Sequence, residues 1–409
     1  MKKSFAFFFI FLTFLAILRL FLFFSEKVSY KDSQEISLQT RILSDPKIQG
    51  STQRITVHLR GGKNAFVYLP LYPEIRYGDL VRIEGRLKIK KIEDGEIIFI
   101  NFPKAEKVED RNWAIKTLAD SREKIITSFQ RVLPIPSSSL LLGIVFGIKE
   151  TFPKEFDQDL REVGVMHVIA ASGMNVAMLG GILSSFFISI FKRQTAIILT
   201  IFGIVLYAFI SGLEPSIIRA SLMGALAFSA QLIGRQSLSV LSLYFSALIM
   251  LILNPSLIFD IGFQLSFMAT LGIISFKPEI DTKFKKKIGK IYLLDDISTT
   301  IVAQVFTLPI LIHSFGVYSL WSILVNALVL WTVPILMLIG GIASVLIFIS
   351  SFFSIFLYLA LPFLIYFERI VGLFGNLDGQ LDLSLLPWQY LISYYLILFA
   401  FLLRLKKII

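Results

Sequence analysis

The chain has 409 residues, of which 55% are hydrophobic, 14% aromatic and 17% charged, with a formal net charge of +11 and no cysteine. A soluble globular protein carries about 25% charged residues, so this composition excludes a soluble enzyme fold for most of the chain. The lack of cysteine excludes disulfides, thiolate metal sites and a cysteine nucleophile, and three histidines make a multi-histidine metal centre unexpected. No cofactor is predicted.

The first 24 residues predict a membrane anchor. Lys2 and Lys3 are followed by a Phe-rich run that only Arg19 interrupts. A secretory signal has a similar charged start but needs a small-residue cleavage site, and none follows Phe24. We therefore expect residues 1–24 to form an uncleaved anchor helix.

Residues 25–110 predict a β domain outside the cytoplasm. Short runs rich in β-branched and aromatic residues are separated by glycine turns, which is typical of a small closed barrel, either OB-like or SH3-like. Basic residues with aromatics between them are what single-stranded nucleic acid requires. The DNA-binding candidates are Arg54, Arg60, Lys63, Tyr68, Arg82 and Arg86. A solvated surface explains them equally and is favoured, because residues 25–162 hold 23 basic and 20 acidic residues.

Residues 111–162 are predicted to link this domain to the membrane. A charged helix over 112–132 precedes an apolar piece at 140–148, which is too short to span a bilayer and is typical of a re-entrant or interfacial segment. Residues 154–163 then place Phe156, Leu160 and Val163 on one face, which predicts an amphipathic helix.

Residues 163–409 predict a polytopic helical membrane domain. From Ile297 to Phe367 there is no Asp, Glu, Lys or Arg over 71 residues, and one span needs about 20 apolar residues. Ten spans are predicted, with Pro334 and Gly340-Gly341 interrupting the eighth: 1–24, 163–191, 195–213, 215–233, 238–253, 257–276, 297–315, 320–349, 352–374 and 388–404. Basic clusters at 192–193, 235, 277–290 and 404–407 then fall on one side, which places both termini in the cytoplasm.

Polar residues inside lipid are costly and mark pathways or helix–helix hydrogen bonds. Three groups of pore or polar-path candidates have this character, and later spans add Gln304 and Asn326. The groups are His167, Ser172, Gly173 and Asn175; Glu214 and Arg219; and Asp260 with Gln264. Each has a structural alternative: a hydrogen-bond cluster for the first, a Glu214–Arg219 ion pair for the second, which is favoured, and an interfacial carboxylate for the third.

Four ordered motifs resemble those of the ComEC-type competence proteins. They are Leu142-Gly143 through Gly164 to His167-Val-Ile-Ala-Ala-Ser172-Gly173-Met-Asn175; Glu214-Pro215-Ser216-Ile-Ile-Arg219-Ala220; Asn254-Pro255 through Asp260-Ile-Gly262-Phe263-Gln264-Leu265-Ser266-Phe267; and Gln304 through Leu308-Pro309, Phe315-Gly316 and Ser319 to Asn326. Asn175 stands where that signature commonly has His, which argues against a metal or proton role there.

The resemblance implies a channel for single-stranded DNA in the cytoplasmic membrane during natural transformation. Its expected partners are single-stranded DNA, the lipid bilayer, a separate DNA receptor, nuclease and cytosolic motor ATPase, and a second copy of the chain in a homo-oligomer. The chain shows no His-x-His-x-Asp-His run of the metallo-β-lactamase-like domain that many relatives carry, so it is identified as a short member without nuclease activity, and no catalytic residue is predicted. The alternatives are a secondary transporter or exporter of another substrate, and a membrane-embedded hydrolase using Ser172 and His167.

Overall fold

The computed structural model describes residues 2–25, 28, 30–42, 46–92, 95–109, 112–148, 152–169, 173–234, 238–288, 292–377, 379–383 and 387–405. By their contacts these residues form two compact units. One comprises Met1–Thr127, Ala208–Leu213 and Leu248–Leu257, and the other Ser128–Tyr207, Glu214–Ala247 and Ile258–Ile409. The four-part division predicted above stays a prediction.

The first unit contains one mixed seven-stranded sheet. Its strands are β1 (Glu35–Arg41), β2 (Lys47–Gln49), β3 (Thr52–His58), β4 (Asn64–Pro70), β5 (Leu80–Ile92), β6 (Gly95–Asn101) and β7 (Lys104–Lys107). The strand order is β1-β5-β6-β4-β3-β2, with β7 also on β5, and β4 and β6 run parallel. Burial alternates along β3 and β4 because alternate side chains face opposite sides of a strand, and Ile55, Val57, Val67 and Ile98 lie in the core.

The β domain is thus confirmed as a sheet but not as a closed barrel. Among the described strands β1 and β2 each pair with a single neighbour, so the strand order from β1 to β2 ends in an edge strand on both sides. Local patterns predict strands and turns, whereas closure depends on pairing between distant strands, which short-range patterns do not specify.

Helices make up nearly all of the rest. They are α1 (Lys2–Ser25), α2 (Trp113–Val132), α3 (Ser137–Phe146), α4 (Lys154–Glu162), α5 (Met166–Ile169), α6 (Gly173–Ile190), α7 (Arg193–Ile210), α8 (Pro215–Leu232), α9 (Ser239–Leu253), α10 (Ile261–Ile288), α11 (Tyr292–Phe315), α12 (Ser322–Val329), α13 (Thr332–Ile349), α14 (Leu361–Gly375) and α15 (Trp388–Leu405). Short 3-10 helices cover Pro255–Phe259 and Ser351–Ala360, and the two-stranded sheet of β8 (Val317–Ser319) and β9 (Gln380–Asp382) lies in the second unit.

Five segments in the described part of the chain are long and apolar enough to cross a membrane, and in the first of them residues 170–172 are outside the described residues. The five segments are Met166–Ile190, Arg193–Ile210, Ser298–Phe315, Thr332–Ile349 and Ser351–Gly375. The chain is therefore a helical membrane protein, but the predicted ten spans are not confirmed. Shorter apolar helices occur at Phe9–Ser25, Ser137–Phe146, Ser239–Leu253 and Trp388–Phe401, while α8 and α10 are not among the five.

The predicted span at 320–349 is two helices. α12 ends at Val329 and α13 begins at Thr332, whose hydroxyl donates to the Val329 carbonyl at 2.7 Å. The prediction that Pro334 and Gly340-Gly341 interrupt this span is wrong, because α13 runs through all three. Pro334 lies in the first turn of α13, where a missing backbone N–H costs no helical hydrogen bond.

Candidate functional site

Arg219 is a buried cation in the first turns of α8. The helix begins at Pro215, whose fixed φ suits a first helical position, and the Glu214 carbonyl accepts from the backbone N–H groups of Ile217 and Ile218 at 3.0 Å each. The Arg219 side chain is only 6% exposed, whereas Glu214 is half-buried. The helix start therefore directs the guanidinium into the protein.

The partners of Arg219 are neutral. Its Nε donates to the Ser266 hydroxyl on α10 at 2.8 Å, and Nη1 donates to the Met223 sulfur at 3.5 Å. The guanidinium carbon lies 5.9 Å from the centre of the Phe267 ring. None of these contacts is with a carboxylate, so the predicted Glu214–Arg219 ion pair is not seen among the described residues.

Gly173 completes this arrangement from α6. A Cβ atom at Gly173 would lie 2.8 Å from Nη2 of Arg219, so the lack of a side chain leaves space for the guanidinium. We call Gly173, Arg219, Ser266 and Phe267 the Arg219 site. It joins three of the four sequence motifs. Ser172, predicted beside it, lies outside the described residues.

Asn175 contacts the end of α3. Its Nδ2 donates to the Ile144 carbonyl at 2.7 Å, and the Tyr207 hydroxyl donates to the next carbonyl, Val145, at 2.6 Å. Helix ends leave carbonyls without intrahelical donors, and α3 is buried along its whole length. Asn175 therefore caps the end of α3. Its place beside the polar path stays a prediction.

Asn175→Leu is expected to lower the free energy of unfolding by about 1–3 kcal/mol, because a buried carbonyl loses its donor. Tyr207→Phe should cost a similar amount, since it deletes only the hydroxyl. Tyr390→Phe, at an exposed tyrosine, is the matched control and should have no effect. Thermal unfolding in detergent measures all three. Equal stability of Asn175→Leu and the control would contradict the capping role.

Asp260 and Gln264 organise the start of α10. The Asp260 side chain accepts from the Phe263 backbone N–H at 2.7 Å, as an N-cap carboxylate does. Gln264 Nε2 donates to the Ile258 carbonyl at 2.8 Å. Asp260 is exposed and precedes the helix, so its side chain caps the start of α10.

A second group of polar side chains joins α11, β8 and α12. Gln304 Nε2 donates to the Ser322 hydroxyl at 2.7 Å, and the Tyr318 hydroxyl donates to Gln304 Oε1 at 3.2 Å. Asn326 lies one helical turn after Ser322 on the same face of α12. Its side chain is fully buried, and both polar atoms lack a partner among the described residues. We call Gln304, Tyr318, Ser322 and Asn326 the amide cluster.

The turn that precedes His167 packs against Ser322 of this cluster, and His167 itself is exposed. Its Nδ1 is 3.1 Å from the Gly164 carbonyl oxygen, and a Cβ at Gly164 would lie 2.9 Å from that of Ser322. Gly164 has φ of +71°, a conformation that L side chains rarely adopt. The turn before α5 therefore needs glycine, because its φ is positive and because a side chain would contact Ser322 too closely. Ser172, the partner of His167 in the hydrolase alternative, lies outside the described residues.

In the β domain, one sheet face carries aromatic rings with basic side chains beside them. Phe66 and Tyr68 of β4 flank Phe99 of β6, with ring centres 6.1 Å and 6.3 Å from that of Phe99. The Arg54 guanidinium lies 5.1 Å from the centre of the Phe66 ring, and exposed Lys88 pairs in register with Phe99. We call these five residues the aromatic face. It lies opposite the core side of the sheet.

The other predicted DNA-binding residues are elsewhere. Lys63 forms an ion pair with Glu96 at 3.1 Å, and Arg86 forms one with Glu35 at 2.7 Å. Arg82 is exposed on β5. The side chain of Arg60 lies outside the described part of the structure. Of the six candidates, Arg54 and Tyr68 are thus brought together, directly opposite each other in the β3–β4 pairing.

Sequence reasoning did not single out Phe99, and it included Ser266 only as the end of the Asp260–Ser266 segment. Phe99 could have been found from the alternation along β6, where Ile98 and Ile100 are buried and Phe99 faces the other side. Ser266 follows Gln264 in its motif, but no local signal links it to Arg219. Within the described residues, no group of three or more His, Asp or Glu side chains could hold a metal ion.

Comparison with known proteins gives one family. The model of the "Competence protein" family matches residues 144–407. "ComE operon protein 3" of Bacillus subtilis (strain 168) is 28% identical over 222 residues, covering 54% of this chain and 28% of that protein. An uncharacterized protein of Aquifex aeolicus (strain VF5) is 26% identical over 219 residues, covering 52% of this chain and 49% of its own length. The chain thus spans less than half the length of these relatives, and no solved structure matches it.

Proposed function

The chain belongs to the competence protein family, and from this premise we propose that it passes single-stranded DNA across the cytoplasmic membrane. In this proposal the aromatic face receives the strand and a polar path through the membrane domain conducts it. The chain acts as a conduit and not as an enzyme. Capture of DNA, degradation of one strand and the driving force come from separate receptor, nuclease and motor proteins.

The observation that carries this proposal is the Arg219 site. A charged side chain inside a membrane domain is costly and usually marks a pathway or pairs with an opposite charge. Arg219 has neutral partners on three motif-bearing elements and none of its described contacts is a carboxylate. A phosphodiester group would supply the missing negative charge, and DNA carries one such charge per nucleotide. A guanidinium offers a planar set of donors that matches phosphate geometry.

The amide cluster supports a hydrated path. Buried polar groups are nearly always hydrogen-bonded, so a fully buried side-chain amide without a protein partner calls for water or a passing ligand. Asn326 is such an amide among the described residues. Ser322 lies one helical turn before it and accepts a hydrogen bond from Gln304. Neutral amides and hydroxyls bind a phosphate backbone weakly, which allows a strand to leave as well as enter.

The aromatic face supports the identity of the substrate. Every base has a π-face, so a row of rings holds single-stranded DNA without selecting a sequence, while basic side chains contact phosphate. We propose that this sheet is an OB-like domain on the extracytoplasmic side. The basic residues at 192–193, 277–290 and 404–407 would then be cytoplasmic with both termini. Ten crossings would comprise the five long segments, the apolar helices at Phe9–Ser25, Ser239–Leu253 and Trp388–Phe401, and α8 and α10.

The hydrated path is tested by cysteine accessibility, since the chain has no cysteine of its own. Asn326→Cys and Ser322→Cys, in membranes, are treated with a charged, membrane-impermeant thiosulfonate. Water at these positions allows the reactive thiolate to form, whereas dry apolar packing suppresses it about tenfold or more. We therefore expect both thiols to react at least about tenfold faster than the control.

The matched control is Val325→Cys, at a fully buried apolar position beside Asn326 on α12. Added single-stranded oligonucleotide should slow labelling of Asn326→Cys and leave that of an exposed loop position unchanged. Equal, slow labelling at 322, 325 and 326 would mean that the cluster is dry packing, and the path would then be wrong.

A further inference from the structure

A cleft of about 410 Å³ lies at one end of the aromatic face. Its walls include Arg86 and Lys88 of β5, Asn101 at the end of β6, and Phe102 and Lys104 after it. Asn101 pairs in register with Tyr68, and Lys88 with Phe99, so the cleft and the aromatic face share a continuous surface. A volume of this size is within the range of small-molecule sites, about 300–1,000 Å³.

Phe102 is held in an unusual position beside this cleft. Its side chain is 62% exposed, and its backbone φ is +48°, in the left-handed region that bulky residues seldom adopt. Its N–H donates to the Tyr68 carbonyl at 2.8 Å. Next to it, Pro103 packs against Gly85, where a Cβ would lie 2.7 Å from Pro103 Cβ. An exposed aromatic ring fixed by a strained backbone is typical of a ligand contact.

The charges at the cleft suit a phosphate. Lys88 is exposed and forms no ion pair with any described residue, while Arg86 and Lys104 form exposed pairs with Glu35 and Glu106. Exposed pairs are weak, so they can exchange for a phosphate oxygen. The hydrogen bond to Glu106, with the charges of Glu106 and Glu84, raises the pKa of Lys104. Two carboxylates line the cleft too. Asp32 Oδ1 accepts from the Ile89 N–H at 2.9 Å, and exposed Glu84 accepts from the Ser37 hydroxyl at 3.4 Å.

We propose that this cleft is a nucleotide subsite for single-stranded DNA, in which one base lies on the Phe102 ring and its phosphate contacts Lys88. The Asn101 amide lies where it can hydrogen-bond to the base edge. This inference rests on the proposed function, since the strand on the aromatic face continues into the cleft. It adds Phe102 as a stacking residue and Asn101 as a contact to the base, and it gives Lys88 of the aromatic face a particular phosphate to bind.

The test uses the full chain in nanodiscs of neutral phosphatidylcholine, with a fluorescent twelve-residue deoxythymidine oligonucleotide as the probe. Phe102→Leu keeps an apolar side chain at the same backbone conformation but removes the ring. It should weaken binding about 5- to 150-fold, the usual range for loss of one base–aromatic stack. Tyr72→Leu, at another exposed ring of the same unit outside the cleft, is the matched control and should bind as the unmodified chain does.

Two further measurements separate stacking from a general change in the sheet. Against an abasic phosphodiester strand of the same length, Phe102→Leu should bind as the unmodified chain does, because there is no base to stack. Lys88→Gln should lower the slope of log affinity against log salt by about 0.7, the value for one phosphate of a single strand.

The outcomes are distinguishable. If the unmodified chain binds the oligonucleotide but Phe102→Leu binds it as tightly as Tyr72→Leu does, the subsite is wrong and the proposed function stands. If the unmodified chain does not bind the oligonucleotide at all, the role of the aromatic face in the proposed function fails with it.

Discussion

Arg219→Met is expected to reduce DNA uptake about 10- to 100-fold, because a hydrogen bond to a charged group contributes about 1.5–3 kcal/mol. Methionine fills a similar volume without charge, so the contact with phosphate is lost while packing is kept. The protein should meanwhile unfold at an unchanged or higher temperature. A buried charge with only neutral partners costs desolvation energy, and replacing it with an apolar side chain is often neutral or stabilising.

This pair of readouts separates a functional arginine from a structural one. If Arg219 instead holds α8 against α10, its replacement should lower stability and uptake together. Arg219→Lys should retain part of the activity, since it keeps the charge but not the planar guanidinium. Arg193→Met, which removes an exposed arginine at the start of α7, is the matched control and should leave uptake unchanged.

The double variant Tyr68→Leu/Phe99→Leu is expected to weaken single-stranded DNA binding by the full chain about 30-fold or more. Each base stacked on an aromatic ring contributes about 1–3 kcal/mol, and these two neighbouring rings offer two such contacts. The slope of log affinity against log salt should stay unchanged, because Arg54 and Lys88 still contact phosphate. Fluorescence anisotropy at several salt concentrations measures both quantities.

The control for this variant removes two exposed rings away from the aromatic face. Tyr72→Leu/Trp113→Leu changes side chains that are 78% and 77% exposed and should leave the affinity within the error of the measurement. An equal loss of affinity in both double variants would indicate that binding depends on the number of exposed rings and not on their position. Unchanged affinity in Tyr68→Leu/Phe99→Leu, with the sheet intact by circular dichroism, would contradict binding on this face.

The sequence predicts the class of this protein well, because the membrane imposes a strong constraint. The charge-free run from Ile297 to Phe367 contains Ser298–Phe315, Thr332–Ile349 and most of Ser351–Gly375. Hydropathy does not say where such a run is broken. The break at Leu330-Trp331 carries no glycine or proline, and both residues keep helical backbone angles, so no local signal in the sequence marks it.

The candidate site is less predictable than the class. The motifs mark Gly173, Arg219 and Ser266 as parts of three separate segments. Only the fold brings Gly173 and Ser266 next to the guanidinium of Arg219. Burial and hydrogen-bond satisfaction are also properties of the folded chain. They distinguish Asn175, whose amide caps α3, from Asn326, whose amide has no partner among the described residues. In the sequence alone both residues are asparagines within an apolar segment, and nothing there distinguishes their roles.

The measurement that tests the central claim most directly is a transformation assay on the host organism after deletion of this gene. Marker transfer should be lost in the deletion strain and restored by the unmodified chain, whereas Arg219→Met expressed at the same level should restore it to a level about 10- to 100-fold lower. Deletion that leaves marker transfer unchanged would contradict DNA conduction by this protein. Full rescue by Arg219→Met would contradict the polar path through the Arg219 site.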